Sequence, residues 1–373
     1  MDAFFNGTWA GFQRTPDVSM TFWSTIVVLL ATLVTTSVLR SQSSRSTRSL
    51  GDALEITQLH IYPVKSLRGC TLQAAHLGRY GFVGDLEFDE QKSTGGEVLV
   101  KWEGRGTEVG STATNVKTED EIRFPLMPSV ETLRNLNIDL HGSKTRAYDM
   151  GDAFAIWFSE RLGFETRLVY IGDGSRQILG SLAPNSKGGL RKAGLMQRLR
   201  SLFPFLGFPE ERLVFSDLAH YLVVTEESNA EASARIGGDL GMDVRKFRPN
   251  VVIKGASGAF VEDFWGELTF NGGVRMPLTA NCFRCQSITV DFETGKKAAD
   301  DRGLVWKKLN KDRRVDKGMK YSPVFGRYGY CYGPALGKTL RVGQTAQVTR
   351  INSERTAVGE YHFRLSPLLL GRY

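Results

Sequence analysis

Asn281-Cys282-Phe283-Arg284-Cys285-Gln286 stands downstream of Lys246-Phe247-Arg248-Pro249-Asn250 and is followed by Asp291-Phe292-Glu293-Thr294-Gly295. A thiolate set among strand-like sequence, with arginine and asparagine upstream, suits a site that holds a soft metal and an anionic group together. The C-x-x-C spacing of Cys282 and Cys285 alone is compatible with zinc, a redox dithiol or two core cysteines. Zinc needs about four ligands, and Cys70 and Cys331 are isolated while the five histidines are dispersed. A thioredoxin-type dithiol sits at a helix N-terminus, where the dipole lowers the thiol pKa, whereas the residues after Cys285 read as strand. A single thiolate ligand or a buried structural cysteine remains.

Around this segment the sequence is strand-rich. Leu54 to Val64 alternates and carries β-branched and aromatic residues, which predicts a strand ending near Pro63. Ala153 to Leu162 has helical spacing, and Arg167 to Tyr170 returns to strand. Tyr221 to Val224 predicts a strand, Glu226 to Ile236 a helix, and Val251 to Ile253 a buried strand. Leu268 to Phe270, Ser287 to Val290 and Leu340 to Val348 extend the strand count. The predicted fold class is mixed α/β with β dominant, barrel-like, because the strands are short and separated by glycine turns. Between Gly172 and Pro204 a glycine-, serine- and lysine-containing stretch reads as linker or insertion, with a basic amphipathic helix at Leu190 to Phe203.

The 373 residues can hold two modest domains, and 41% hydrophobic content is ordinary for a folded chain. The formal charge of +8 favours anionic partners, but the 48 basic residues are scattered among 40 acidic ones. That distribution is unlike the concentrated stripe of a nucleic-acid-binding surface, so no nucleic acid partner is expected. Four cysteines are too few for a disulfide scaffold and suit a reducing compartment.

From Met20 to Leu39 no residue is charged, and about 20 residues of helix match the ~30 Å hydrocarbon core. Arg40, Arg45 and Arg48 follow, which places the C-terminal part on the cytosolic side of a single-pass, uncleaved anchor. Ser41 to Ser49 then reads as a flexible tether.

Tyr62-Pro63-Val64-Lys65-Ser66, Phe215-Ser216-Asp217, Phe247-Arg248-Pro249-Asn250, Glu262-Asp263-Phe264-Trp265 and Cys282-Phe283-Arg284-Cys285 occur in the order seen in MOSC-domain proteins. Lys320 to Gly326 and Val342-Gly343 resemble the closing segment of the same family. The combined order, over most of residues 52 to 350, resembles the amidoxime-reducing components. The organisation this implies is an anchor and tether over 1–49, a MOSC N-terminal β-barrel-like domain over 52–175, a linker or insertion over 176–205, a β-barrel-like MOSC domain over 206–350 and a tail over 351–373.

The resemblance implies a molybdenum-molybdopterin cofactor with one protein cysteine on the metal, and Cys285 matches that cysteine by position. Cys282 is then a neighbour. Lys65, Ser66, Arg248, Asn250 and Arg284 match positions that hold the pterin and its phosphate, and Asp217 matches an acidic catalytic position. Cations and hydrogen-bond donors suit such an anion. The implied activity is reduction of small N-hydroxylated substrates, with cytochrome b5 and NADH-cytochrome b5 reductase as electron donors and the mitochondrial outer membrane, or the endoplasmic reticulum, as location. PLP is not expected, since no Schiff-base lysine context is found. Relatives continue Gly84-Asp85 with arginine where this chain has Leu86, and 91–119 is polar where relatives have further apolar strands. Arg79 or Arg105 would have to substitute for the missing cation. A non-catalytic carrier of the cofactor or its sulfur is therefore the alternative reading, and a damaged relative that binds nothing is the third.

Overall fold

A computed structural model describes residues 53–83, 96–103, 121–140, 142–178, 211–237 and 239–358. Seven strands, numbered in chain order, close into a barrel: β1 (Leu54–Ile61), β2 (Tyr221–Thr225), β3 (Val251–Lys254), β4 (Trp265–Phe270), β5 (Val274–Phe283), β6 (Val324–Gly329) and β7 (Thr345–Ile351). Around the barrel they run β3-β2-β6-β5-β4-β7-β1, and β1 returns to β3 through Glu55 to Lys254, Ile56 to Ile253, Gln58 to Val252 and Leu59 to Val251. Closure leaves no barrel edge open. β1 comes from the 52–175 segment and pairs with β3 and β7 of the second half.

β2 and β3 are the parallel pair of the barrel, and a parallel pair needs a crossover. Helix α2 (Glu226–Ile236) supplies it, starting where Thr225 Oγ1 accepts the backbone N–H of Ser228. Because side chains alternate along a strand, Tyr221 and Val223 join one core cluster with Val251 and Ile253, while Leu222, Val224 and Val252 join another with Ala232 and Ile236 of α2. Both faces of β2 are therefore buried, and its sequence reads as a continuous apolar run. Gly326 in β6 has φ 84°, and a Cβ there would lie 2.7 Å from Val224 Cγ1 and 2.8 Å from Val223 O.

The first half contributes helix α1 (Asp152–Leu162), a hairpin of Arg134–Leu140 with Ser143–Asp149, and smaller sheets. The segment read as polar over 91–119 includes a strand, Glu97–Lys101, paired with Glu121–Pro125; its residues 91–95 and 104–119, Arg105 among them, and Leu86 lie outside the described residues. The predicted strand at Ser287 to Val290 is instead a 3-10 turn, Gln286–Thr289, with Ile288 and Thr289 buried and Cys285 at its N-cap. Two anchored side chains in so short a run satisfy a turn as well as a strand.

The expected single-pass membrane location is corrected. Among the described residues no helix is long and apolar enough to cross a membrane. The two longest, α1 and α2, have 11 residues each, and such a helix spans about 16 Å against a ~30 Å hydrocarbon core. The stretches read as anchor (20–39) and tether (41–49), and the Leu190 to Phe203 helix, lie outside the described residues.

A buried polar network crosses the barrel wall. Arg313 donates two 2.9 Å bonds to the Asp263 carboxylate, and Arg355 Nε adds a third at 2.8 Å. Arg327, fully buried, donates to Asn281, Thr356 and the carbonyls of Trp265 and Leu278. Glu262 accepts from Ser228 Oγ at 2.6 Å and Thr225 Oγ1 at 3.3 Å, and burial pushes its pKa up to about 7. Asp263 and Trp265 thus serve the wall.

Two outcomes follow. Gly326→Ala is expected to lower stability by about 2–4 kcal/mol, because it combines left-handed backbone with overlap against β2; a urea midpoint equal to the wild type would refute the strain. Glu262 carries a folded pKa above its usual value, so its contribution is present below pH 4.5 and lost as pH rises through about 7. Relative to wild type, Glu262→Gln should therefore gain roughly 2–3 kcal/mol between pH 5 and pH 8 in urea unfolding. An equal difference at both pH values contradicts this.

Candidate cofactor site

The motifs distant in sequence meet beside the end of β5. Arg284 N–H donates to Pro323 O at 2.9 Å, which ties the cysteine segment to Lys320–Gly326. Phe247 stacks on Phe325 with centroids 3.6 Å apart and 8° between planes. Tyr62 OH donates to Pro249 O at 3.1 Å, and the Arg248 guanidinium lies 4.2 Å from the Tyr62 ring centroid while donating to Leu67 O. Lys65 and Asp217, 152 residues apart, form a direct ion pair.

Cys285 is exposed, with Sγ 3.0 Å from Ser287 Oγ, whereas Cys282 is buried and its sulfur accepts from Arg284 Nη1 at 3.0 Å. One thiol faces outward and the other is held inside by a cation. Burial, with Cys282 and Asp217 nearby, pushes the Tyr328 hydroxyl well above its usual range, so it stays protonated at neutral pH.

Arg284 is buried, its Nη2 making only a 3.5 Å contact to Lys246 O. Its Nε, and the Nζ of the equally buried Lys246, have no hydrogen-bond partner. Leaving charged donors buried and unsatisfied is costly, and an anion supplies what they lack. Three non-glycine residues among the described ones have left-handed backbone, and two are Ser66 (φ 71°) and Arg248 (φ 51°). Such conformations cost on the order of 1–3 kcal/mol each and concentrate at ligand clamps. An accessible thiol, Cys285, bracketed by buried cations and strained residues, fits a metal whose other ligands and negative charge come with a bound group. Among the described residues no cluster of three His, Cys, Asp or Glu side chains is placed to hold a metal without such a group.

The candidates differ in their engagement. Lys65 and Asp217 are paired but reachable, with side chains 34% and 58% exposed. Arg248 lies within electrostatic reach of both Asp217 and Arg284. Ser66 is exposed beside Lys65. Asn250 has its amide engaged by backbone: Oδ1 accepts Leu222 N–H at 2.9 Å and Nδ2 donates to His60 O at 3.2 Å. Arg79 lies over Tyr80 at 5.4 Å, within electrostatic reach of Glu211.

Lys246, quoted with its segment but given no role, and Arg68 were not among the site residues expected from the sequence. They flank the Phe292 ring at 5.7 and 5.3 Å, and Arg68 also donates to Phe292 O. The signal available for Lys246 was its place directly before Phe247-Arg248-Pro249-Asn250; an isolated surface-looking arginine offered none for Arg68.

Residues 53–165 match the MOSC N-terminal beta barrel domain and residues 210–349 the MOSC domain. The mitochondrial amidoxime-reducing component 1 of Mus musculus is 27% identical over 361 residues, covering 90% of this chain and 97% of that protein. The mitochondrial amidoxime reducing component 2 of Macaca fascicularis is 30% identical over 315 residues, 80% of this chain and 84% of that one. A molybdenum cofactor sulfurase of Oryza sativa subsp. japonica is 26% identical over 262 residues, 65% of this chain but 29% of its own length. With both domains matched in order around the converging motifs, the chain belongs to the MOSC-domain family, as a relative of the mitochondrial amidoxime-reducing components.

Proposed function

We propose that this protein is a molybdenum cofactor-dependent reductase that converts N-hydroxylated small molecules to the corresponding N–H compounds, using electrons from an external donor. The observation that carries this reading is the exposed Cys285 thiol at the end of β5, next to the buried, partly unsatisfied cations Arg284 and Lys246. The overall conversion consumes two electrons and two protons, breaks the N–O bond and releases water.

When bound, the molybdenum cofactor supplies a centre that can take up and release the electron pair. Cys285 would hold the metal through its thiolate, a soft anionic donor. Lys65, Ser66, Arg248 and Arg284 would hold the pterin and its phosphate, with charge and N–H or O–H donors aimed at an anion. Asn250 acts one step behind by fixing the backbone from which Arg248 projects. Asp217 is exposed at the site, where its carboxylate orients Lys65, and it would be the acidic residue of the proposed reaction. Cytochrome b5 with NADH-cytochrome b5 reductase is the proposed donor pair.

The sulfurase relative favours a second reading, a non-catalytic carrier of the cofactor or its sulfur. The two separate in one assay. With the donor pair and NADH, the full chain should reduce a benzamidoxime-type substrate, and Cys285→Ala should lose at least a hundredfold of that rate, about 2.7 kcal/mol or more in barrier, while Cys282→Ala keeps most of it. Turnover unchanged in Cys285→Ala overturns the assignment. Stoichiometric cofactor with no turnover, and transfer of that cofactor to an apo-acceptor, selects the carrier.

A further inference from the structure

Arg176 belongs to none of the motifs, yet it is 1% exposed and among the largest fully buried side chains. It lies on a two-residue strand, Arg176–Gln177, paired antiparallel with Arg212–Leu213. Its guanidinium donates from Nε to Val214 O at 2.9 Å, and from Nη2 to Asp217 O at 2.7 Å and to Ser216 O. Three carbonyls of one loop are thus gathered on a single planar fork, a task that an ammonium on a flexible stem cannot perform. Tyr330 OH takes the next carbonyl, Leu218 O, at 2.7 Å. Arg212 reinforces the base, donating to Ser175 Oγ at 2.7 Å and Ser175 O at 2.8 Å. The conformation of Val214 to Leu218 is therefore dictated by buried donors.

That loop presents the Asp217 carboxylate to Lys65. Asp217 lies between two cations: Arg176 fixes its main chain from the interior, and Lys65 meets its side chain at the surface. We infer that Arg176 is a positioning residue, which locks the Val214 to Leu218 loop so that Asp217 holds Lys65 at the cofactor site. The loop-locking stands on geometry alone; its relevance to cofactor retention rests on the proposed reading of Lys65 and Asp217.

Amide hydrogen exchange and the rate of Lys65 acetylation, both read by mass spectrometry on the full chain, test this without any turnover. In Arg176→Met, exchange in 214–218 should rise at least tenfold while the barrel amides of Val251 to Ile253 stay protected. Arg176→Lys, which retains charge but not the fork, should lie between Met and wild type and covers the case in which the Met variant does not fold. Lys65 acetylation should accelerate several-fold in Arg176→Met, as in Asp217→Asn, and the double variant should be no faster than Asp217→Asn alone. Unchanged exchange in 214–218, a uniform rise across the barrel, or additive acceleration in the double variant would overturn the inference. Molybdenum content measured on the same proteins separates this from the cofactor reading: metal absent from the wild type counts against that reading and leaves the loop result standing.

Discussion

The pairing of Leu54–Ile61 with Val251–Lys254 is the constraint on which the rest depends. It closes the barrel, and it also sets the site, because Lys65 and Ser66 follow the first of these strands while Arg248 and Asn250 immediately precede the second. Asn250 secures the junction at three strands: its amide binds Leu222 N–H and His60 O, and its backbone binds the same two residues through Leu222 O and His60 N–H. A carboxylate or apolar side chain there would leave buried backbone groups unpaired. Asn250, which resemblance assigns to the cofactor, also has its side-chain amide committed to holding these three strands together.

Cations dominate the space so formed. Arg284 and Lys246 are buried with incomplete hydrogen bonding, and Arg248 holds left-handed backbone. These are expenses of folding unless a ligand offsets them. The wall network differs: Arg313, Arg355 and Asp263 answer one another with three short bonds. Arg327 of the wall also keeps a buried Nε without a partner, so what marks Arg284 and Lys246 is their place beside the exposed Cys285 thiol.

The legible elements were those whose local pattern agreed with their surroundings. Helix α2 was read to its ends because a capping threonine precedes two glutamates, and Ser228, Ala232 and Ile236 recur on one face. β1 was legible from its alternation. β5 and β6 were masked by Arg275, Pro277 and Arg327, since a wall strand that carries a buried arginine does not look apolar. Ser287 to Val290 was misread because four residues cannot separate a strand from a 3-10 turn by periodicity. Cys285, Lys65, Arg248 and Asp217 were visible through motif order, whereas Arg176 and Arg68 were not, because a buried arginine that binds carbonyls has the same sequence signature as a solvated one. The membrane expectation rested on hydropathy at 20–39, and the described helices give it no support.

The proposed function stands on Cys285 and its surrounding cations holding a molybdenum cofactor. The most direct test is the molybdenum-to-protein ratio of the full chain, purified from a cofactor-producing host beside Cys285→Ala, with circular dichroism to verify folding. A ratio near one is expected in the wild type, collapsing in the folded variant. A well-folded wild type with no molybdenum, or a variant that retains it fully, would overturn that assignment.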